Sequence, residues 1–127
     1  MRVKHFRGLK VWQRSMALAR GVYQLTALFP KSEIFGIVQQ MRRAAVSVPS
    51  NIAEGHGRHT DRSFALFLRQ ARGSLNELET QLELSVQLGF AQTSQCSATL
   101  QEIDELARML SALQATLVRP SPSRAQL

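Results

Sequence analysis

Apolar residues recur along this chain at alternating intervals of three and four, which places their side chains on one face of an α-helix. Four such stretches are separated by turn residues, and runs of alternating β-branched residues are absent. Helices are therefore predicted over about residues 9–29, 33–55, 61–88 and 94–118. Because short loops join them, we expect an all-α, up-down-up-down four-helix bundle, and the heptad-like spacing favours left-handed packing.

The first predicted helix carries two apolar stripes, although one is enough for a bundle. One stripe consists of Leu9, Trp12, Met16, Ala19 and Tyr23, and the other of Val11, Leu18, Val22, Leu25 and Phe29. Two explanations remain open. The helix either buries a wide face within the bundle or uses the surplus in a contact between subunits.

Pro49 stands inside the second predicted helix. Proline removes one helical hydrogen bond and clashes with the carbonyl group four residues earlier. The apolar stripe nevertheless continues in phase to Ile52. We therefore expect the second helix to kink at Pro49 and not to end there, with Ser47, Ser50 and Asn51 near enough to satisfy freed backbone groups.

The length of 127 residues suits one domain. We expect a single bundle domain over residues 1–119 and a flexible tail over residues 120–127, because Pro120 and Pro122 end the helical pattern. No apolar run reaches the roughly 20 residues of a membrane span. The basic N-terminus precedes a polar helix and not a signal peptide's apolar segment. These features favour a soluble cytoplasmic protein without membrane contact.

The net charge of +7 is unevenly distributed. Residues 1–72 hold 13 of the 16 Lys and Arg but 3 of the 9 Asp and Glu, a net +10, and the remaining residues carry a net −3. This asymmetry favours an anionic partner for one surface, with nucleic acid as the leading class. Ordinary scatter of a solvated surface is the alternative.

Several arginines are placed to bind phosphate. Arg62, Arg69 and Arg72 share a face of the third helix, and they stand near its start, where positive charge opposes the helix dipole. Guanidinium groups bind phosphate bidentately and stack on bases. The predicted nucleic-acid-binding residues are Arg42, Arg43, Arg62, Arg69, Arg72, Lys10 and Arg14.

A structural alternative exists for some of these arginines. Arg42 or Arg43 could pair with Glu77 or Glu79, within one chain or between subunits, and would then serve assembly. The predicted structural or interface residues are Trp12, Pro49, Asn51, Glu54, Glu77 and Glu79. Exposure is favoured for the third-helix arginines and for the N-terminal cations Arg2, Lys4, Arg7, Lys10 and Arg14, where nucleic-acid contact and plain solubility both stay open.

Catalytic and metal-binding patterns are weak in this sequence. No Glu is followed three residues later by His, as a di-iron bundle requires. Glu54, His56 and His59 cluster in a glycine-containing turn, where exposed histidines are expected, and Cys96 has no nearby base. We expect no cofactor, no metal and no enzymatic activity.

Four segments together resemble a known family. They are residues 9–12 (LKVW), 29–31 (FPK), 40–55 (QMRRAAVSVPSNIAEG) and 73–82 (GSLNELETQL). Their order and spacing, over roughly residues 6–118, resemble the bacterial four-helix bundle proteins of the 23S rRNA intervening-sequence type. Relatives of that family include the accessory variability proteins of diversity-generating retroelements, which form pentameric barrels and bind a reverse transcriptase and nucleic acid. The resemblance implies a homo-oligomeric ring, as a pentamer, with nucleic acid as partner and without catalysis.

The sequence thus predicts a non-catalytic, basic, oligomeric four-helix bundle that binds RNA, or an RNA–protein complex, by electrostatic contacts. The alternative is a protein-interaction scaffold, or an accessory subunit for a partner enzyme such as a reverse transcriptase.

Overall fold

Four α-helices make up most of the protein, whose computed structural model describes residues 3–118. They are α1 (Lys10–Thr26), α2 (Ile37–Gly57), α3 (Asp61–Gln87) and α4 (Thr93–Leu117). Short 3-10 helices, Phe6–Gly8 and Lys31–Glu33, precede α1 and α2. No strand occurs between residues 3 and 118. The predicted all-α fold is confirmed.

Each helix packs against two others, in the cyclic order α1, α2, α3, α4. Side-chain contacts show that neighbours run in opposite directions. Arg72, in the first half of α3, reaches Gln114 near the end of α4. Arg42, early in α2, reaches Thr26 at the end of α1. The chain therefore runs up, down, up and down, and the left-handed supercoil and the kink at Pro49 stay predictions.

The core is built from the apolar stripes of all four helices. Met41, Ile52, Leu75, Leu82 and Leu106 are each fully buried in it. Burial of a side chain of this size contributes roughly 1.5–3 kcal/mol. On α1 only the stripe that starts at Val11 enters this core as a whole. The surplus stripe of α1 lies partly outside the core.

Two helix ends differ from the prediction. α1 ends at Thr26 and not near Phe29, because the backbone tightens into three-residue turns from Leu25 to Phe29. α2 begins at Ile37 and not at residue 33. Gly36 precedes the helix and has φ −106° and ψ −119°. This combination lies outside the helix and strand regions, and glycine adopts it because it has no Cβ atom.

The later start of α2 leaves two side chains in surroundings different from those of a helix that begins at residue 33. Ser32 would be the N-cap of such a helix, but it belongs to the separate 3-10 helix. Ile34, which the spacing places on the buried stripe, is 44% exposed. The predicted tail, residues 120–127, lies outside the described residues, as do Arg2 and Arg119.

α2 continues past Pro49 for two further turns, to Gly57. The Asn51 amide donates to the Ser47 carbonyl at 2.8 Å, and the Ser47 hydroxyl donates to the Ala44 carbonyl at 3.0 Å. Neither bond goes to the Ala45 carbonyl, which loses its helical donor at Pro49, so they add to the helical bonds of the turns around the proline. Asn51 therefore supports α2 within the chain.

We expect the Gly55→Ala substitution to destabilise the fold by about 1–3 kcal/mol, because overpacking a filled interior forces a backbone shift. A Cβ atom at Gly55 would lie 2.6 Å from the Cβ of Phe67 on α3, which has no freedom to rotate away. Gly21, on α1, is the matched control, since a Cβ there meets nothing within 4 Å. Gly21→Ala should therefore gain about 0.5–1 kcal/mol. Urea unfolding of both variants measures the difference, and equal stabilities would contradict the close helix contact at Gly55.

Candidate functional site

Five exposed cations lie at the end of the bundle where α1 begins, α2 ends and α3 begins. This basic end consists of Lys4, Arg7, Lys10, Arg58 and Arg62. The antiparallel order brings these termini together, and the three residues between α2 and α3 keep Arg58 and Arg62 close. Two carboxylates, Glu54 and Asp61, lie at the same end, so a net positive charge remains.

His56 joins the N-terminal segment to α2. Its Nε2 donates to the Val3 carbonyl at 2.7 Å, and its ring meets Phe64 edge-on. His56 is buried, which corrects the expectation of an exposed turn residue. The reason is that α2 runs two residues beyond the predicted end, so His56 lies in its last turn. His59 is exposed and has φ +64°, which allows the tight turn into α3.

The cations of the basic end differ in whether they make ion pairs or ring contacts with other side chains of the protein. Arg58 pairs with Glu54 one turn earlier, at 3.1 Å, and lies over the Phe67 ring. Lys10 and Arg62 have no ion pair or side-chain hydrogen bond with any described residue. These two side chains are therefore free to meet an external anion.

The remaining third-helix arginines divide between two surfaces. Arg69 is exposed on the same stripe as Arg62. Arg72 is half-buried and donates to the Gln114 side chain at 2.9 Å, so it is not freely exposed as predicted. Three residues after Arg69, it lies about 60° round the helix and faces α4. With Arg108 it lines a polar groove of about 310 Å³ between α3 and α4.

Arg14 is occupied within the chain. Its Nε lies 2.6 Å from Glu102 and its second nitrogen lies 3.1 Å from Glu105, both on α4. The hydrogen bond from Arg14 lowers the pKa of the Glu102 carboxyl, against the opposing effect of burial. The expectation of a free Arg14 is therefore corrected, because α1 and α4 are antiparallel neighbours and Arg14 joins them.

Arg42 and Arg43 take different roles despite their adjacency. Arg42 donates to the Thr26 hydroxyl at 2.9 Å, and its guanidinium carbon lies 4.6 Å from the Tyr23 ring centroid. Arg43 is exposed and has no ion pair or side-chain hydrogen bond with a described residue. The sequence alternative of a pairing with Glu77 or Glu79 is not found within the described part of the chain.

Glu77 and Glu79 are exposed on the outer side of α3, whereas Arg42 faces α1. This explains why the intrachain pairing is absent from the described ion pairs. The intersubunit form of the pairing stays a prediction.

An open apolar groove of about 680 Å³ runs between α1 and α2. Its lining includes Phe6, Trp12, Met16, Tyr23 and Pro49. Trp12 is half-buried, and its ring lies 5.2 Å from that of Phe6. Within one chain, the surplus apolar stripe of α1 therefore lines this α1–α2 groove.

A second cleft of about 430 Å³ lies at the opposite end of the bundle from the basic end, beside the start of α2. We call it the aromatic cleft. It is lined by Tyr23, Ile34, Phe35, Gln39, Arg42, Arg43 and Val46. The sequence reasoning named its arginines but missed Phe35, which is 86% exposed.

Between residues 3 and 118, no group of three or more His, Cys, Asp or Glu side chains is placed to hold a metal ion. None of the helices in that range is long and apolar enough to cross a membrane. Cys96 is buried, and burial raises the pKa of its thiol.

Fold and site together define an antiparallel four-helix-bundle protein with a cluster of exposed cations at one end. The chain belongs to the family of 23S rRNA-intervening sequence proteins, whose model matches residues 7–112. The resemblance drawn from the four sequence segments is thereby confirmed.

A solved structure supports the same fold. It is a protein of unknown function from the S23 ribosomal protein family, from Bacteroides thetaiotaomicron. The similarity has a TM-score of 0.72 at 20% sequence identity, and it covers 87% of this chain and 99% of that one. No curated protein matches this chain.

Proposed function

We propose that this protein is a non-catalytic, self-associating nucleic-acid-binding protein that contacts phosphates through its basic end. The observation that carries the proposal is the gathering of five exposed cations where three helix termini meet. Lys10 and Arg62 carry the most weight, because no described group neutralises them. Cations on flexible stems attract the phosphate backbone regardless of sequence, so weak sequence specificity follows.

RNA is the expected nucleic acid. The family description refers to 23S rRNA, and this supports an RNA-related role. The basic end does not distinguish RNA from DNA, because both have a phosphate backbone, so the family description alone carries the choice of RNA.

Self-association through the α1–α2 groove is the second part of the proposal. The groove is lined by three aromatic side chains, Phe6, Trp12 and Tyr23, that a partner could cover, and a second copy of the chain is the occupant we assign. A contact between different faces of successive copies gives a ring when the rotation between copies closes, and a closed ring is the assembly that we propose. The ring would repeat the basic end and add avidity without tight single-site contacts. Five copies is the number that the family resemblance implies.

The same groove supports the second candidate function, a scaffold for another protein. A helix of a partner enzyme would fit the groove as a second copy does. Reversing Arg62, Arg69 and Arg72 to glutamate distinguishes the two functions. The proposed function then loses RNA binding, whereas a scaffold that holds its partner in the α1–α2 groove keeps that partner, because none of the three arginines lines the groove.

Affinity for RNA should fall steeply with salt. If the five cations each meet a phosphate, log K falls with log salt at a slope of about −4.5 on a duplex, or about 500-fold between about 50 and 200 mM salt. Fluorescence anisotropy of labelled RNA and DNA duplexes across a salt series measures the slope, with light scattering on the same samples. An affinity that does not change with salt would contradict binding through the basic end.

A further inference from the structure

The aromatic cleft combines features that the basic end lacks. Its walls offer two aromatic rings, Tyr23 and Phe35, and two arginines, Arg42 and Arg43. None of the described residues that line it is acidic. A cleft of about 430 Å³ with flat, cationic walls matches a planar ring system that carries a negative charge.

Phe35 presents its ring to solvent. It is the most exposed of the described large apolar side chains, at 86%, and it stands in the turn between the 3-10 helix and α2. No described ring lies near enough to stack on it. A phenyl ring this exposed has a face available, and stacking on an incoming ring would remove apolar area from water.

Arg42 and Tyr23 form a second wall. The guanidinium stacks on the Tyr23 ring at 4.6 Å, and the Thr26 hydroxyl and the Tyr23 carbonyl accept its hydrogen bonds. These contacts fix the planar group without neutralising its charge. A fixed guanidinium plane is a preferred stacking partner for nucleobases.

Two further polar side chains of the cleft, Arg43 and Gln39, can bind the phosphate and the base edge of a nucleotide. Arg43 is exposed and unpaired among the described residues, so it is free to bind a phosphate. Gln39, one helical turn before it, carries an amide that can both donate to and accept from the edge of a base.

We propose that the aromatic cleft binds one unpaired nucleotide of a single-stranded nucleic acid, with the base against Phe35 and its phosphate on Arg43. The bases of a duplex are stacked inside the helix and cannot enter such a cleft. This inference rests on the proposed function, because a strand that runs the length of α2, about 30 Å, meets the salt-dependent basic end as well as the cleft. It adds a preference for unpaired segments over duplex.

The test uses the full chain and a single-stranded RNA long enough to span the bundle, with one 2-aminopurine whose fluorescence is quenched while it stacks on its neighbours in the strand. The same RNA with an abasic site at that position has the same phosphates without the base. We expect the fluorescence to rise on binding, because the base leaves those neighbours for the cleft, and affinity on the order of 10-fold weaker for the abasic strand. Phe35→Ala should abolish the rise and weaken the intact strand by a similar factor. Leu28→Ala is the control, since Leu28 is also exposed at this end but does not line the cleft.

Each outcome decides a separate question. Equal binding of the intact and abasic strands, with no effect of Phe35→Ala, would overturn the nucleotide site but leave binding through the basic end intact. No salt-dependent binding of any nucleic acid would instead overturn the proposed function. A Phe35→Ala variant with a smaller mass by light scattering would show that Phe35 contacts another subunit, and this too would overturn the nucleotide site.

Discussion

Reversing Lys10 and Arg62 together to glutamate should weaken binding to an RNA duplex on the order of 100-fold or more, at constant salt. The change replaces two attractions with two repulsions, and each charge near a phosphate is worth about 1 kcal/mol even in water. Neither side chain makes an ion pair with a described residue, so the reversal breaks no such contact in the fold. Lys10 is the first residue of α1, and Arg62 is the second residue of α3.

The two positions also make stability a useful second measurement. Negative side chains in the first turn of a helix interact favourably with its dipole, by about 0.3–1 kcal/mol each. The Lys10→Glu, Arg62→Glu variant should therefore be at least as stable to urea as the natural chain while it loses RNA binding. The control variant, Lys31→Glu with Arg108→Glu, changes the net charge equally at exposed sites outside the basic end. If both variants bind equally weakly, overall charge and not the basic end determines affinity.

Arginine and lysine near the start of a helix reduce its stability. Their positions relative to the predicted helix starts can be identified from the sequence alone. Positive charge near the start of the third predicted helix is therefore a sign of function that sequence reasoning can detect. The structure adds that the cations from α1 and from the junction of α2 with α3 meet at one end of the bundle. That meeting depends on helix directions, which periodicity indicates only through the loop lengths.

The occupied arginines mark the limit of what helical spacing predicts. Helical spacing alone places Arg14 and Arg72 on exposed faces. In the structure, each contacts a partner on α4. Heptad spacing identifies the face of a helix but not the helix that it faces, so neither partner could be assigned. The burial of His56 escapes prediction for a different reason, because helix ends are the least certain part of such predictions.

The aromatic cleft is not predicted from the sequence, because the predicted start of α2 lies too early in the chain. With α2 predicted from residue 33, Ile34 extends the buried stripe and Phe35 is one more residue of the first helical turn. Gly36 instead ends the preceding turn, and both side chains are left exposed. The signal that could have found them is the glycine, since a strong helix start rarely places glycine inside its first turn.

Met16→Glu should dissociate the assembly into single chains of 14.2 kDa. Met16 lines the α1–α2 groove and lies outside the core cluster, so a charge there should leave the fold of one chain intact. In an assembly that covers the groove, the carboxylate would be buried without a partner, at a cost of several kcal/mol. Dissociation constants should rise on the order of 100-fold or more. Light scattering over a range of concentrations measures the change.

Leu84→Glu provides the matched control, because Leu84 is 43% exposed on the outer side of α3, away from the groove. Loss of the assembly in this variant but not in Met16→Glu would place the subunit contact on α3 and contradict the groove. The pair also separates the two parts of the proposed function. If Met16→Glu yields single chains that keep a salt-dependent but weaker affinity for RNA, the basic end binds by itself and the ring contributes avidity. If affinity is unchanged, each chain binds alone, and the groove serves a purpose other than RNA binding.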